Sequence, residues 1–271
     1  MLLLLGIAYI IPLGSNIVNS LKDESGNYVG LKNYMDVLSS YYFLDSLWFT
    51  LKVALITTAL SMVIAIIVAL ALRENFAGKK ITLFLFQYNL CIPHMVVAMM
   101  MIMLLSQTGI LSSLAYQLGL IESATEFPWL VKDSKGLGII ITFVWKYFPY
   151  IGLSVLGILQ GASREYEAQA ATLGVGKVKR FFHVILPTIL PATSAASIIV
   201  FSAAFGEYEI PALLGSTSHR MLSIMVYIKY CDLSTRNIPQ AYAMMTMMML
   251  VLACIILFYY LLTSRGGRLR R

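Results

Sequence analysis

Four ionisable side chains sit inside long apolar stretches of this chain: His94 directly after Pro93, Lys146 after Trp145, and Glu207 with Glu209 beside Gly206. An imidazole, an ammonium and two carboxylates can hold a charged or polar solute, pass protons or pair with one another. Such groups are costly in hydrocarbon, so they turn toward protein or a water-filled cavity. Pro93, Pro149 and Pro211 can each bend a helix and present backbone carbonyls to that cavity. The two glutamates therefore read as lining a pathway or gate, or as carboxylates meeting water near a membrane face. Lys146 can touch solute, snorkel or pair structurally. His94 can line the same pathway or form a local hydrogen bond, with Gln87 and Asn89 as polar neighbours.

Other chemistry is poorly served. The histidines His94, His183 and His219 are scattered, and no Ser/His, paired-Asp or His-Glu-x-x-His arrangement is present, which argues against an intramembrane enzyme. No phosphate-cradling Gly-x-x-x-x-Gly-Lys-Ser/Thr loop exists. Gly176-Lys177 comes nearest, but Ala171 stands where the first glycine belongs and Val178 where the hydroxyl belongs. Cys91 and Cys254 fall in apolar stretches and Cys231 stands alone, so neither a disulfide framework nor a metal spacing is visible, and no cofactor or metal is expected. The methionine-rich stretches Met95–Met103 and Met244–Met249 point around a helix in all directions and read as soft packing rather than a copper site.

The elements that must carry these groups span a membrane. The chain is 59% hydrophobic and 12% charged, with mean hydropathy +0.80, where a soluble domain carries about 25% charged residues. Six stretches can cross a hydrocarbon core: Met1–Asn19, Ser46–Leu72, Ile81–Leu105, Leu137–Gln160, Pro191–Leu214 and Ala241–Thr263. They are continuously apolar rather than alternating, which excludes barrel strands. The expected fold is all-α and polytopic, a single transmembrane domain over 1–271. The net charge of +7 comes from loop residues rather than a nucleic-acid-binding face. Arg73, Lys79 and Lys80, then Arg164, Lys177, Lys179 and Arg180, then Arg265, Arg268, Arg270 and Arg271 outweigh the opposite set of loops. This bias places both termini and the segment 164–187 in the cytoplasm. Outside, Leu111–Gly136 can form a short interfacial helix, and Trp129 and the tyrosines near span ends suit interfacial anchoring.

The segment 164–187 is the most polar connector between spans. Glu165 and Glu167 in a first turn, then Ala168, Ala170 and Ala171, favour a helix. Gly174 and Gly176 end it, and a second short helix with Val178, Phe181, Phe182, Val184 and Ile185 on its apolar face closes at Pro187 and Pro191. Small residues and aromatics suit a docking element for a partner outside the membrane, or a helix lying on the lipid surface.

The segment resembles the cytoplasmic coupling loop of permease subunits from binding-protein-dependent ABC importers, whose pattern is Glu-Ala-Ala, a glycine and, about a dozen residues on, Leu-Pro. Thr172-Leu173-Gly174, Phe181, Val184, Leu186-Pro187 and Pro191 match it in type and spacing. Counting back from Gly174, the family's glutamate position holds Ala168, with Glu167 one residue earlier and Gln169 in an alanine position. Asn33-Tyr34 through Leu47–Thr50 is similar to the family's lead-in to its second span. Phe205-Gly206-Glu207-Tyr208 and Pro211–Gly215 resemble the polyamine, iron, sulfate and phosphonate groups.

The resemblance implies a type I importer permease in a prokaryotic cell membrane that is not itself an enzyme. Such a subunit pairs with an identical or homologous permease around a solute pathway, takes cargo from an external solute-binding protein, and is driven by two cytoplasmic ATP-binding subunits. Glu167, Ala168, Ala170, Ala171, Gly174, Phe181, Leu186 and Pro187 would carry the coupling. The cargo implied is a small polar or charged solute, such as a polyamine, iron or a phosphonate-like oxyanion. The alternative is an ion-driven secondary transporter, whose usual mark is an internal repeat with broken helices in both halves; no convincing repeat is visible.

Overall fold

The computed structural model describes residues 2–268, so Met1 and residues 269–271, Arg270 and Arg271 among them, lie outside it. The chain is all-α. In order it forms α1 (Leu2–Ser20), α2 (Lys32–Leu38), α3 (Tyr41–Leu72), α4 (Lys79–Cys91), α5 (His94–Leu105), α6 (Ile110–Gln117), α7 (Leu137–Gln160), α8 (Ala162–Thr172), α9 (Lys177–Arg180), α10 (Leu186–Gly206), α11 (Glu209–Leu214), α12 (Leu222–Cys231) and α13 (Ile238–Arg268). Among the described residues, five stretches are long and apolar enough to cross a membrane: Tyr41–Leu72, His94–Gln117, Leu137–Gln160, Lys177–Gly206 and Ile238–Tyr259. There is no strand among them, only an isolated antiparallel bridge between Lys22 and Tyr28.

The chain divides into two compact units. The first comprises residues 1–50 and 220–271, the second residues 51–219. In the first, α13 packs against α1, α2 and α12. Val37, Phe43, Leu222, Val226, Ala243, Met244 and Met247 form its buried centre, so these methionines serve as flexible core filler. Polar side chains tie the helices where backbone groups would otherwise be stranded. Asn33 Nδ2 donates to the carbonyls of Ser20 and Lys22 at 2.8 Å each. Thr50 Oγ1 donates to Ser46 O and accepts the N–H of Leu222, the first residue of α12, at 2.8 Å.

In the second unit α7 is the central element, packed against α4, α5, α10 and α11. Two glycines permit close approach. A Cβ on Gly152 would lie 2.6 Å from the Phe86 ring of α4, and one on Gly138 would collide with the backbone carbonyl of Leu130.

Three expected helices are redrawn. The span over Ile81–Leu105 is not continuous: Pro93 lacks an N–H and holds Ile92 extended (ψ 126°), so α4 stops at Cys91 and α5 restarts at His94. The span over Pro191–Leu214 instead starts at Leu186 and ends at Gly206, with α11 a separate short helix. The second helix of segment 164–187 does not close at Pro187. It runs from Lys177 through Phe181–Ile185 into α10. There the Leu186 N–H bonds to Phe181 O, five residues back. This widened π-turn lies immediately before Pro187, whose ring would crowd the carbonyl four residues back.

Candidate functional site

The break at Ile92–Pro93 leaves the last carbonyls of α4 short of helical partners, Asn89 O keeping only the Ile92 N–H at 3.3 Å. Lys146, from the middle of α7, supplies them: its Nζ donates to Asn89 O at 2.8 Å, Ile92 O at 2.6 Å and Leu90 O at 3.3 Å. Asn89 Nδ2 returns a bond to Trp145 O at 2.9 Å. An ammonium has three donors, and all three are engaged here in a residue only 4% exposed. Lys146 thus caps a broken helix, the structural pairing that was one of the roles open to it.

The next residues of both broken helices converge. His94 opens α5. Glu207 lies in the extended linker after Gly206 (φ −65°, ψ 136°), and Glu209 opens α11, which packs on α5 and α7. His94 Nδ1 lies 3.3 Å from Glu207 Oε2. Tyr147 donates its hydroxyl to the same oxygen at 3.4 Å, and the Glu209 N–H donates to Glu207 Oε1 at 3.1 Å. One nitrogen or oxygen from each of His94, Glu207 and Glu209 falls within 4.8 Å of the other two, in half-buried residues. Three of the four expected polar residues therefore meet. Tyr147, whose ring stands edge-on to His94 at 6.0 Å between centroids, was missed in the sequence. Its only signal was a phenol deep inside a span, away from the interface where tyrosines usually anchor.

The second feature is the polar connector. The side chains of residues 162–164, Arg164 among them, lie outside the described set. Beyond them, α8 turns Glu167 and Ala170 inward, at 8% and 9% exposure, and leaves Ala168 and Ala171 outward. Glu167 Oε1 meets Arg73 Nη1 at 2.7 Å, just past the end of α3. Burial pulls the Arg73 guanidinium down, but hydrogen bonding and charge from Glu167, with Glu74 adding to both, outweigh it and hold the group above its ordinary value. Glu167, named above among the coupling residues, is turned inward and anchors α8 through Arg73. Gly174 takes the left-handed conformation (φ +75°) that closes α8. Around this turn Leu173, Val178 and Phe182 stand in the open. Phe181 is half-buried and packs edge-on to Phe182 at 5.0 Å. Leu186 and Pro187 are half-buried in the helix that follows.

Comparison with known proteins gives the following. The family described as "Binding-protein-dependent transport system inner membrane component" matches residues 41–266. The sn-glycerol-3-phosphate transport system permease protein UgpA of Shigella dysenteriae is 26% identical over 223 residues, 78% of this chain and 72% of that one. A probable sulfate transport system permease protein cysT of Nephroselmis olivacea is 24% identical over 203 residues, 74% of this chain and 66% of its own. A chain of a bacterial ABC transporter involved in import of the acidic polysaccharide alginate superimposes with TM-score 0.79 at 16% identity, covering 97% of this chain and 92% of that one.

Proposed function

Since the chain belongs to the family of binding-protein-dependent transport system inner membrane components, we propose that it works in an ATP-driven importer whose power stroke enters through the turn between α8 and α9. It is a multi-pass permease subunit. ATP hydrolysis resides in separate cytoplasmic subunits, a second permease completes the solute pathway, and an external binding protein delivers the cargo. Both termini and the α8–α9 turn face the cytoplasm, as the loop arginines and lysines favour.

The observation that carries this reading is the pairing of an anchored base with an open tip. Glu167 ties α8 to the end of α3 at 2.7 Å, while Leu173 at 83% and Val178 at 73% exposure surround the Gly174 turn. Exposed apolar side chains on a short helical elbow suit insertion into a partner's groove, and a charge-pinned base lets a push on the tip move α3 and α8 together. The contacts with the ATP-binding subunit would come from Ala168, Ala171, Leu173, Val178 and Phe182 rather than from Glu167.

The cargo is a small polar or anionic solute. The relatives reported above are named for sn-glycerol 3-phosphate, sulfate and alginate, and none of these names supports the polyamine, iron or phosphonate expected from the sequence.

The test is reconstitution of the full transporter in proteoliposomes, with cysteine introduced at Val178. ATP-dependent uptake, and cross-linking of that cysteine to the ATP-binding subunit, are the expected results. Uptake driven by an ion gradient without ATP, or labelling of the cysteine by a membrane-impermeant reagent from the outer face, overturns the reading.

A further inference from the structure

We propose that His94, Glu207 and Glu209 form a binding site for a divalent transition-metal cation of the zinc class, placed where the two broken helices of the second unit meet. The proposal depends neither on the solute carried nor on the ATP-binding partner.

The site rests on geometry and donor chemistry together. An imidazole nitrogen and two carboxylate oxygens, all within 4.8 Å of one another, are a mixed set suited to a borderline cation: imidazole favours zinc, copper, iron or nickel over magnesium or calcium. Calcium would need six to eight oxygens, and only two side chains here bring any besides the Tyr147 hydroxyl. Zinc–ligand bonds of about 2.0–2.2 Å require the three atoms to close in by roughly an ångström, within the rotamer freedom of a half-buried glutamate at the start of a six-residue helix. Three protein ligands leave a position for water.

The charges around the set point the same way. Two carboxylates share a half-buried space with one imidazole, and the neighbouring groups include the Tyr147 hydroxyl, which already donates to Glu207, and the Lys146 ammonium, which is bonded to three carbonyls at the end of α4. Carboxylates this close repel one another, and a cation between them relieves that repulsion. His94 begins α5 just after the Pro93 break, and Glu209 begins α11 just after the Gly206 break. A metal joining them would bridge the two interruptions and fix α5 against α11.

The experiment is calorimetric titration of the purified full-length chain in lipid nanodiscs with zinc chloride, with calcium chloride in parallel. One saturable zinc per chain in the micromolar range is expected. His94→Ala and Glu209→Gln should each weaken it by at least about tenfold, the lower end of what losing a mere outer-sphere partner costs. His219→Ala should leave it unchanged, and X-ray absorption of the bound zinc should show imidazole coordination. Glu207→Gln also disturbs the Tyr147 and Glu209 hydrogen bonds, so the decision falls on the other two variants, scored only where size exclusion shows wild-type behaviour. Absence of a saturable zinc site overturns the proposal. So does an affinity that neither His94→Ala nor Glu209→Gln moves, or calcium binding that matches zinc.

Discussion

Arg73 Nη1 and Glu167 Oε1 stand 2.7 Å apart, with the two side chains 19% and 10% exposed, and this contact joins the residue just past α3 to the middle of α8. A pair this enclosed is asymmetric in its energetics. Removing both partners is tolerated better than removing one, because a single deletion strands a charge.

Glu167→Gln should therefore loosen α8, costing about 1–3 kcal/mol locally for the weakened bond to a charged group. Faster amide hydrogen exchange over 162–172 and a lower ratio of solute moved to ATP consumed are the expected readouts. The reciprocal pair, Arg73→Glu with Glu167→Arg, should recover part of both. Equal exchange in wild type and Glu167→Gln would remove the anchoring role.

Gly174 carries φ +75°, with open space where a side chain would project. The penalty for substitution is then purely conformational, about 1–2 kcal/mol for an ordinary L-residue in this region. Gly174→Val should uncouple ATP hydrolysis from uptake while the protein still inserts, whereas Gly174→Asn, which tolerates the left-handed region, should stay close to normal. Fully coupled transport by Gly174→Val would count against the turn as the transmission element.

Lys146→Met keeps the length of the side chain and deletes all three donors to α4. Each carbonyl left without a partner costs about 1–3 kcal/mol, and the loss should appear as a clear drop in thermal midpoint in nanodiscs. An unchanged midpoint would mean that water replaces the ammonium.

Gly138→Ala drives a methyl group into the Leu130 carbonyl, a backbone atom that cannot swing aside. Overpacking of this kind costs about 1–3 kcal/mol, so the variant should unfold earlier on heating. Gly157→Ala, where nothing lies within 4 Å, should be neutral or slightly stabilising on the same helix.

What the sequence determined by itself was set by one-dimensional quantities: runs of apolar residues fixed which segments are buried in lipid as helices, and Gly174 marked the end of α8 because few residues other than glycine adopt its backbone angles. The family resemblance lay in the same local features, Leu173-Gly174 and Leu186-Pro187. Prolines were read less well. Pro93 broke a helix assumed continuous, while Pro187 and Pro191 failed to break one, because a proline's effect depends on whether neighbouring groups rescue the freed carbonyls. Only the tertiary structure decided partnerships between residues far apart in the chain. Lys146 became a cap for α4, Glu167 turned inward to Arg73, and His94 came to Glu207, Glu209 and Tyr147, because the direction of a side chain is fixed by the helix packed against it and not by its own neighbours in sequence.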